Sequence, residues 1–460
     1  MSKDEQSCSD ILAEWIATLS PGDVPDDARI AAEDTIIDTV ALTVAALDTD
    51  YGLAVRKAFN ARGNCTVWGL SETFDFASAA VINGTCGHGE DYDNTFEGCP
   101  VHSGVVIVPA VFAAAEAMEL SNADAAKGLV VGIEVANRLG VISGKGIHSA
   151  GFHPTAILGT MGAAAGVAAA MGQSQKEIRD TLGVAGSMAA GIIEYLADGS
   201  WTKRMHAGWA AQSGIRAAMM GAAGFSGPRT VFEGSHGLYA SFAPSITADF
   251  APLTEGLGET WQAARVAFKP YACGTMTQPF IDCAVRLKEK NINPDVIANI
   301  ICDVGEGTVH RLWEPLALKK APPTSYAAKF SSPYTIAAGL IRGRAGLAEF
   351  TDEAVRDPDL LAVASKVSYV IDPDDEYPRN YTGHVRVEMK DGTVFEERQG
   401  QLRGGVKDPL MREEIVEKAA ANLSFANRPE GAAEVLRSFS SSLFANDGAF
   451  DARSLRSLGT

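Results

Sequence analysis

The stretch HGEDYDNTFEGCPVH sets Glu90, Asp91, Asp93 and Glu97 between His88 and His102. Carboxylates and imidazoles are the side chains that hold or pass protons near neutral pH. The segment therefore reads as an acid/base loop, a metal site or a solvated acidic turn. A magnesium cage for a diphosphate needs a second acidic cluster of comparable spacing, and the chain has none, so no metal is expected. Cys99 lies in the same stretch, but no basic residue adjoins it in sequence to lower its pKa, and it carries little weight as a nucleophile.

The remaining histidines and lysines add context. GFHPTAILGTMGAAAG puts His153 and Pro154 before a long apolar helix, where unpaired helix N–H groups favour anions. DGSWTKRMHAGWAAQSG sets Lys203, Arg204 and His206 before another Ala-rich segment, and FKPYACGTMTQPFID sets Lys269 before Pro270. Taken singly, each histidine is more often a local hydrogen-bonding residue and each lysine a surface charge. Held together at Gly- and Pro-punctuated turns of an acidic chain, the same basic groups form a cleft that collects small carboxylates.

The elements that must position them come from 460 residues, enough for two or three domains at roughly 150 residues each. Thirty-nine Lys and Arg against 57 Asp and Glu give a net charge of −18, which argues against nucleic acid or an anionic membrane as partner. The N-terminus MSKDEQSCSD has no apolar signal core, and runs such as VVIVPAVFAAA fall short of the roughly 18 residues a membrane span needs, so a cytoplasmic protein is expected. Seven scattered cysteines with no CxxC pair signal neither a disulfide framework nor a zinc or iron–sulfur site. The glycine spacings match no dinucleotide or phosphate-loop fingerprint, and no cofactor is expected.

From Ser9 to about Gly224 the periodicity is helical, with ILGTMGAAAGVAAAMG and TLGVAGSMAAGII apolar nearly all round, as in buried helices that approach closely. After about Arg265 the texture changes: PDVIANIICDVG and SKVSYVIDP read as strands, and HVRVEMKDGTVFEERQ as a hairpin turning at Asp391-Gly392. Helical patterns return in PLMREEIVEKAAANL and AAEVLRSFSSSL. The predicted class is mainly α. A large all-helical domain is built from both chain ends, residues 1–266 and 405–460, with a smaller α+β lid inserted at 267–404.

HGEDYDNTFEGCPVHSGVVIVPAVFAAAE, GFHPTAILGTMGAAAG, the TKRMHAG segment, FKPYACGTMTQPFID and AKFSSPY resemble, in that order, the successive signatures of the MmgE/PrpD family. This family includes 2-methylcitrate dehydratase, cis-aconitate decarboxylase and iminodisuccinate epimerase, and the resemblance spans about Ile11 to Leu443. It implies a helical domain with an inserted lid, a homodimer, and a pocket between the two domains. It also implies a set of site residues. Asp91 and Thr95 match the aspartate and threonine of the first loop, and His102 the histidine that closes it. His153 matches the GFHP-like turn, Lys203 the lysine before the HxG segment, Lys269 the KxYxxC motif and Tyr334 the end of the AKFSxxY-like stretch. Gln278 departs, standing where many members have a histidine, and His102-Ser103 replaces the usual His-Pro. The first loop also runs about one residue longer than in the decarboxylase pattern.

The reactions so implied develop carbanion-like charge beside carboxylates on a small di- or tricarboxylate. The expected roles are charge neutralisation by Lys203, Lys269 and His153, and proton transfer by His102 with Asp91 orienting it. Tyr334 completes the site, and Thr95 and Gln278 contact substrate. A cofactor-independent lyase, decarboxylating or dehydrating, is the first expectation. An epimerase of an aspartate-like diacid needs the same parts, and a non-catalytic helical binding protein is the alternative of another class.

Overall fold

The computed structural model describes residues 6–459, so the opening MSKDE lies outside the described residues. The chain is mainly α and divides into two compact units. The first comprises Met1–Gly89, Asp93–Ala267 and Arg412–Thr460, and the second Glu90–Tyr92 and Phe268–Met411.

Helices of the first unit include Cys8–Thr18, Asp26–Ala46, Phe76–His88, Gly104–Ala117, Asn122–Ser143, Pro154–Ala170, Gln175–Met188 and Thr202–Ala222. Arg412–Phe425 and Ala432–Ala445 join the same unit. Pro154–Ala170 is buried along its whole length, as its all-round apolar sequence predicts. Two departures from the helical reading matter for the site. Thr95–Phe96 pairs antiparallel with Val266–Ala267 as a two-residue strand. The segment TLGVAGSMAAGII leaves the helix at Ala189 and runs extended to Gly191, whose φ of 151° only glycine adopts readily. The Gly191 carbonyl there accepts from the His153 N–H at 2.9 Å.

Small residues let the helices meet backbone to backbone. A Cβ on Gly84 would lie 2.7 Å from Gly208 Cα, and one on Gly208 would lie 2.3 Å from the Val81 carbonyl oxygen. Phe76–His88 and Thr202–Ala222 thus touch without side chains between them, which draws His88 and His206 into one region. Buried charges on Asp26–Ala46 are matched from the C-terminal segment, because an unpaired buried charge is costly. Arg412 Nε is 2.8 Å from Asp34 Oδ1, and Lys418 Nζ is 2.7 Å from Asp38 Oδ1.

The second unit is α+β. Strands β1 (Ile297–Val304), β2 (Val367–Ile371), β3 (Gly383–Met389) and β4 (Val394–Gln399) form one sheet in the order β2-β1-β3-β4. β1 and β2 run parallel, while β1–β3 and β3–β4 are antiparallel. The β3–β4 hairpin turns through Asp391-Gly392, with Gly392 at φ 88° as the sequence pattern requires. Helices Gln278–Glu289 and Ser332–Arg342 supply Phe280, Leu287 and Ile336 to a core completed by Ile300, Trp313 and Val385. The unit extends to Met411 because Gly404 and Asp408 close a hydrogen-bonded turn before the Arg412 helix starts.

Candidate active site

Within the first unit, the loop after the Phe76–His88 helix is built on Asn94. Its N–H donates to Asp38 Oδ2 at 3.0 Å, its amide nitrogen donates to Thr35 Oγ1 at 3.1 Å, and its Oδ1 accepts from the Gly104 N–H at 3.2 Å. The His102 N–H donates to Thr155 Oγ1 at 3.1 Å, fixing the far end of the loop to the Pro154–Ala170 helix. Between these anchors the buried Asp93 carboxylate meets two imidazoles. Oδ2 lies 2.9 Å from His88 Nδ1 and 3.0 Å from His102 Nδ1. The first contact has hydrogen-bond geometry, whereas the second is close but off axis.

His153 is the N-cap of the Pro154–Ala170 helix, as the sequence predicts, and its Nδ1 lies 3.1 Å from His206 Nδ1. Its ring stacks on that of His88, with centroids 5.5 Å apart and planes 18° apart. The His88 and His102 rings are 4.8 Å apart, and Tyr195 presents its ring to both His153 and His206 at 6.0 and 5.9 Å. Four imidazoles and a carboxylate therefore form one continuous group.

Burial decides their charge. It pushes His88 down to about 4 against the pull of Asp93. His206 is also pushed down to about 4 by burial, reinforced by the positive charges that His88 and Lys203 can carry. His153 is held well below the usual imidazole range, by burial first and by His88 and Lys203 next. Burial alone would raise Asp93, but His102 and His88 overcome it and keep the carboxyl well below its ordinary range. Near neutral pH the group thus combines neutral His88, His153 and His206 with an ionised Asp93. Lys203, half-buried at the second position of the Thr202–Ala222 helix, acts on His88, His153 and His206.

His88, Asp93 and His102 bring ligating atoms within 4.8 Å of one another, a spacing open to a divalent cation. Asp93 Oδ2 stands at hydrogen-bond distance from both Nδ1 atoms, which fits rings protonated there; only a cation held through those Nδ1 atoms would require them bare. Cys99 is buried and pushed up to about 12 by that burial, so it stays a thiol. Thr95 donates a long hydrogen bond of 3.4 Å from Oγ1 to the Val101 carbonyl.

Within the second unit, the residues 90–92 are bound by two buried lysines and a carbonyl. Lys269 Nζ donates to the Asp91 carbonyl at 2.6 Å and to Asp91 Oδ1 at 3.0 Å. Lys329 Nζ donates to the Glu90 carbonyl at 2.8 Å and pairs with Glu90 Oε2 at 2.8 Å, and the Tyr92 hydroxyl donates to the Pro270 carbonyl at 2.9 Å. Asp91 takes a left-handed φ of 54°, which aims both of its oxygen acceptors at one ammonium.

These contacts give the partners of the residues named from the sequence. The carboxylate touching His102 is that of Asp93, whereas the Asp91 side chain pairs with Lys269. The Lys269 ammonium, expected to neutralise substrate, is engaged by that carboxylate, since a buried lysine needs an anion beside it. Tyr334 is fully buried and its hydroxyl donates to the Glu349 carbonyl at 2.6 Å, while Gln278 is buried with its amide 3.4 Å from the Tyr271 and Cys273 carbonyls. Buried donors take the nearest carbonyl, and both side chains are so occupied. Sequence reading placed His88, Glu90 and Asp93 in the acid/base loop and His206 among the basic groups without giving any of them a specific site role, and it did not name Lys329. The i, i+3 spacing of Lys203 and His206 on one helix carried a signal, for such residues share a face.

The profile of the MmgE/PrpD N-terminal domain matches residues 10–251, and that of the MmgE/PrpD C-terminal domain matches residues 271–438. The chain is 26% identical over 448 residues to the cis-aconitate decarboxylase of Aspergillus terreus, covering 91% of this chain and 90% of the relative. It is 28% identical over 449 residues to the human cis-aconitate decarboxylase, covering 91% and 88%. A cis-aconitate decarboxylase-like protein oryM of Aspergillus oryzae is 26% identical over 432 residues, covering 88% of each chain. With both profiles matched in order across most of its length, the chain belongs to the MmgE/PrpD family.

Proposed function

We propose that the protein is a lyase acting on a small di- or tricarboxylate, in which His102 moves the proton. The observation that carries this reading is the Asp93 carboxylate set against His102 and His88 in a buried group on which the Lys203 charge acts. Loss of carbon dioxide leaves an electron pair on carbon, and a positioned imidazolium supplies the proton that ends on that carbon. Asp93 stabilises the imidazolium formed when His102 takes up a proton from water during turnover, and Lys203 is our candidate for holding a substrate carboxylate. His153, at a helix start, donates to a second carboxylate oxygen. We read Lys269 and Asp91 as the pair that sets the loop backbone, with no cofactor needed for any of these steps.

The names of the relatives favour decarboxylation over dehydration, and cis-aconitate is the first substrate to try. The purified protein incubated with cis-aconitate in heavy water should release carbon dioxide and leave one solvent deuteron on the product carbon, read by NMR. Deuterium entering recovered substrate with no loss of carbon dioxide or water would favour the epimerase and overturn the lyase reading. His102→Ala should fold and lose turnover by about 100-fold or more.

A further inference from the structure

The reading of His102 as the acid/base group leaves open which of its nitrogens does the work, and one carboxylate oxygen answers. Asp93 Oδ2 lies 2.9 Å from His88 Nδ1 and 3.0 Å from His102 Nδ1. An ionised carboxylate only accepts hydrogen bonds, so His88 Nδ1, which bonds it, carries a proton; the His102 contact is off axis, but a bare Nδ1 at 3.0 Å would set lone pair against lone pair, which favours a proton there too. A neutral ring protonated at Nδ1 is bare at Nε2. We propose that Asp93 is a positioning residue that sets two imidazoles at once, holding the protons of His88 and His102 on Nδ1 so that each ring presents a bare Nε2. The proposal rests on the acid/base reading of His102 for its catalytic consequence, and on the Asp93 geometry alone for the tautomers.

Two further observations fit. His88 Nε2 and Asp93 Oδ1 are fully buried without a hydrogen-bond partner among the described residues, so nothing in the protein competes for the lone pairs the assignment leaves there. The His88 ring lies between His102, at 4.8 Å, and the stacked His153, at 5.5 Å, and its Nδ1 faces Asp93 in that position. When His102 Nε2 takes a proton from substrate or water, the positive ring faces an anion already in place, and the proton leaves by the same atom.

The test uses the full-length enzyme labelled with 15N-histidine. Long-range proton–nitrogen spectra at pH 7.5, assigned with His88→Asn and His102→Asn, should show both rings protonated at Nδ1 and unprotonated at Nε2. In Asp93→Asn the His102 signals should move toward the Nε2-protonated form. kcat should fall by about 100-fold with KM changed by less than about threefold, and the acid limb of the pH profile should shift. A wild-type His102 or His88 protonated at Nε2 would overturn the proposal, as would an Asp93→Asn enzyme with unchanged tautomers and pH profile. So would a stoichiometric divalent metal that the nitrogen spectra place on either Nδ1, since that atom could then carry no proton. Should His102→Ala keep its turnover, the functional reading falls while the spectra still decide the role of Asp93.

Discussion

The Nδ1···Nδ1 contact of His153 and His206, at 3.1 Å, allows one proton between the two atoms, so the rings take opposite tautomers. Whichever ring donates, the partner's orientation is fixed, and His206 acts on substrate only through His153. His206→Asn keeps a group able to bond His153 and should cost less than tenfold in kcat, whereas His206→Leu should cost about 100-fold; equal losses in steady-state assays would refute the pairing. At this scale the sequence was only partly legible. It named His102, His153 and Lys203 through their motifs, but a carboxylate's choice among imidazoles depends on loop conformation. Asp91 and Asp93, two residues apart, look alike until the left-handed φ of Asp91 turns its oxygens to Lys269. The partners of Tyr334 and Gln278 stay hidden for a related reason: residue type does not reveal which buried carbonyl a hydroxyl or amide will find.

Among elements, the Gly84–Gly208 approach and the Lys418–Asp38 pair do the positioning. Gly208→Ala would drive a methyl into the Val81 carbonyl and force apart the helices bearing His88 and His206. We expect a loss of about 1–3 kcal/mol in chemical denaturation together with a drop in kcat, since overpacking here moves the imidazoles. Lys418→Met leaves Asp38 buried without its cation beneath the Asn94 N–H, and should destabilise the first unit by about 3 kcal/mol. A stable Lys418→Met protein with normal activity would show that the ion pair supports nothing in the loop. Helices were the most legible elements, because buried apolar periodicity survives tertiary packing. The two-residue strand at Thr95–Phe96 was not, since it exists only by pairing with Val266–Ala267, some 170 positions on along the chain, and no local pattern marks so distant a partner.

For the whole molecule, the buried histidines set an acid limit. His88 and His206 titrate near 4 when folded but near 6.5 in the unfolded chain, so the unfolded state binds protons that the folded state refuses. Stability is therefore full above about pH 6.5 and falls as pH drops toward 4, by on the order of 1 kcal/mol per pH unit for each histidine. Denaturation at pH 7 and pH 5 should show this, and replacing His206 with Asn should flatten the slope; a chain more stable at pH 5 would contradict the assignment. Periodicity alone gave an α+β texture to residues 267–404 and helices after them, while the second unit runs on to Met411 and takes in residues 90–92 through lysines no pattern announces. The dependence of Asp38 on Lys418 also bears on biosynthesis. A nascent chain emerging from the ribosome carries the Asn94 loop hundreds of residues before the lysine that neutralises its anchor, so proton-handling competence must await the synthesis of Lys418, and nascent chains that stop short of it should be inactive however much helix they contain.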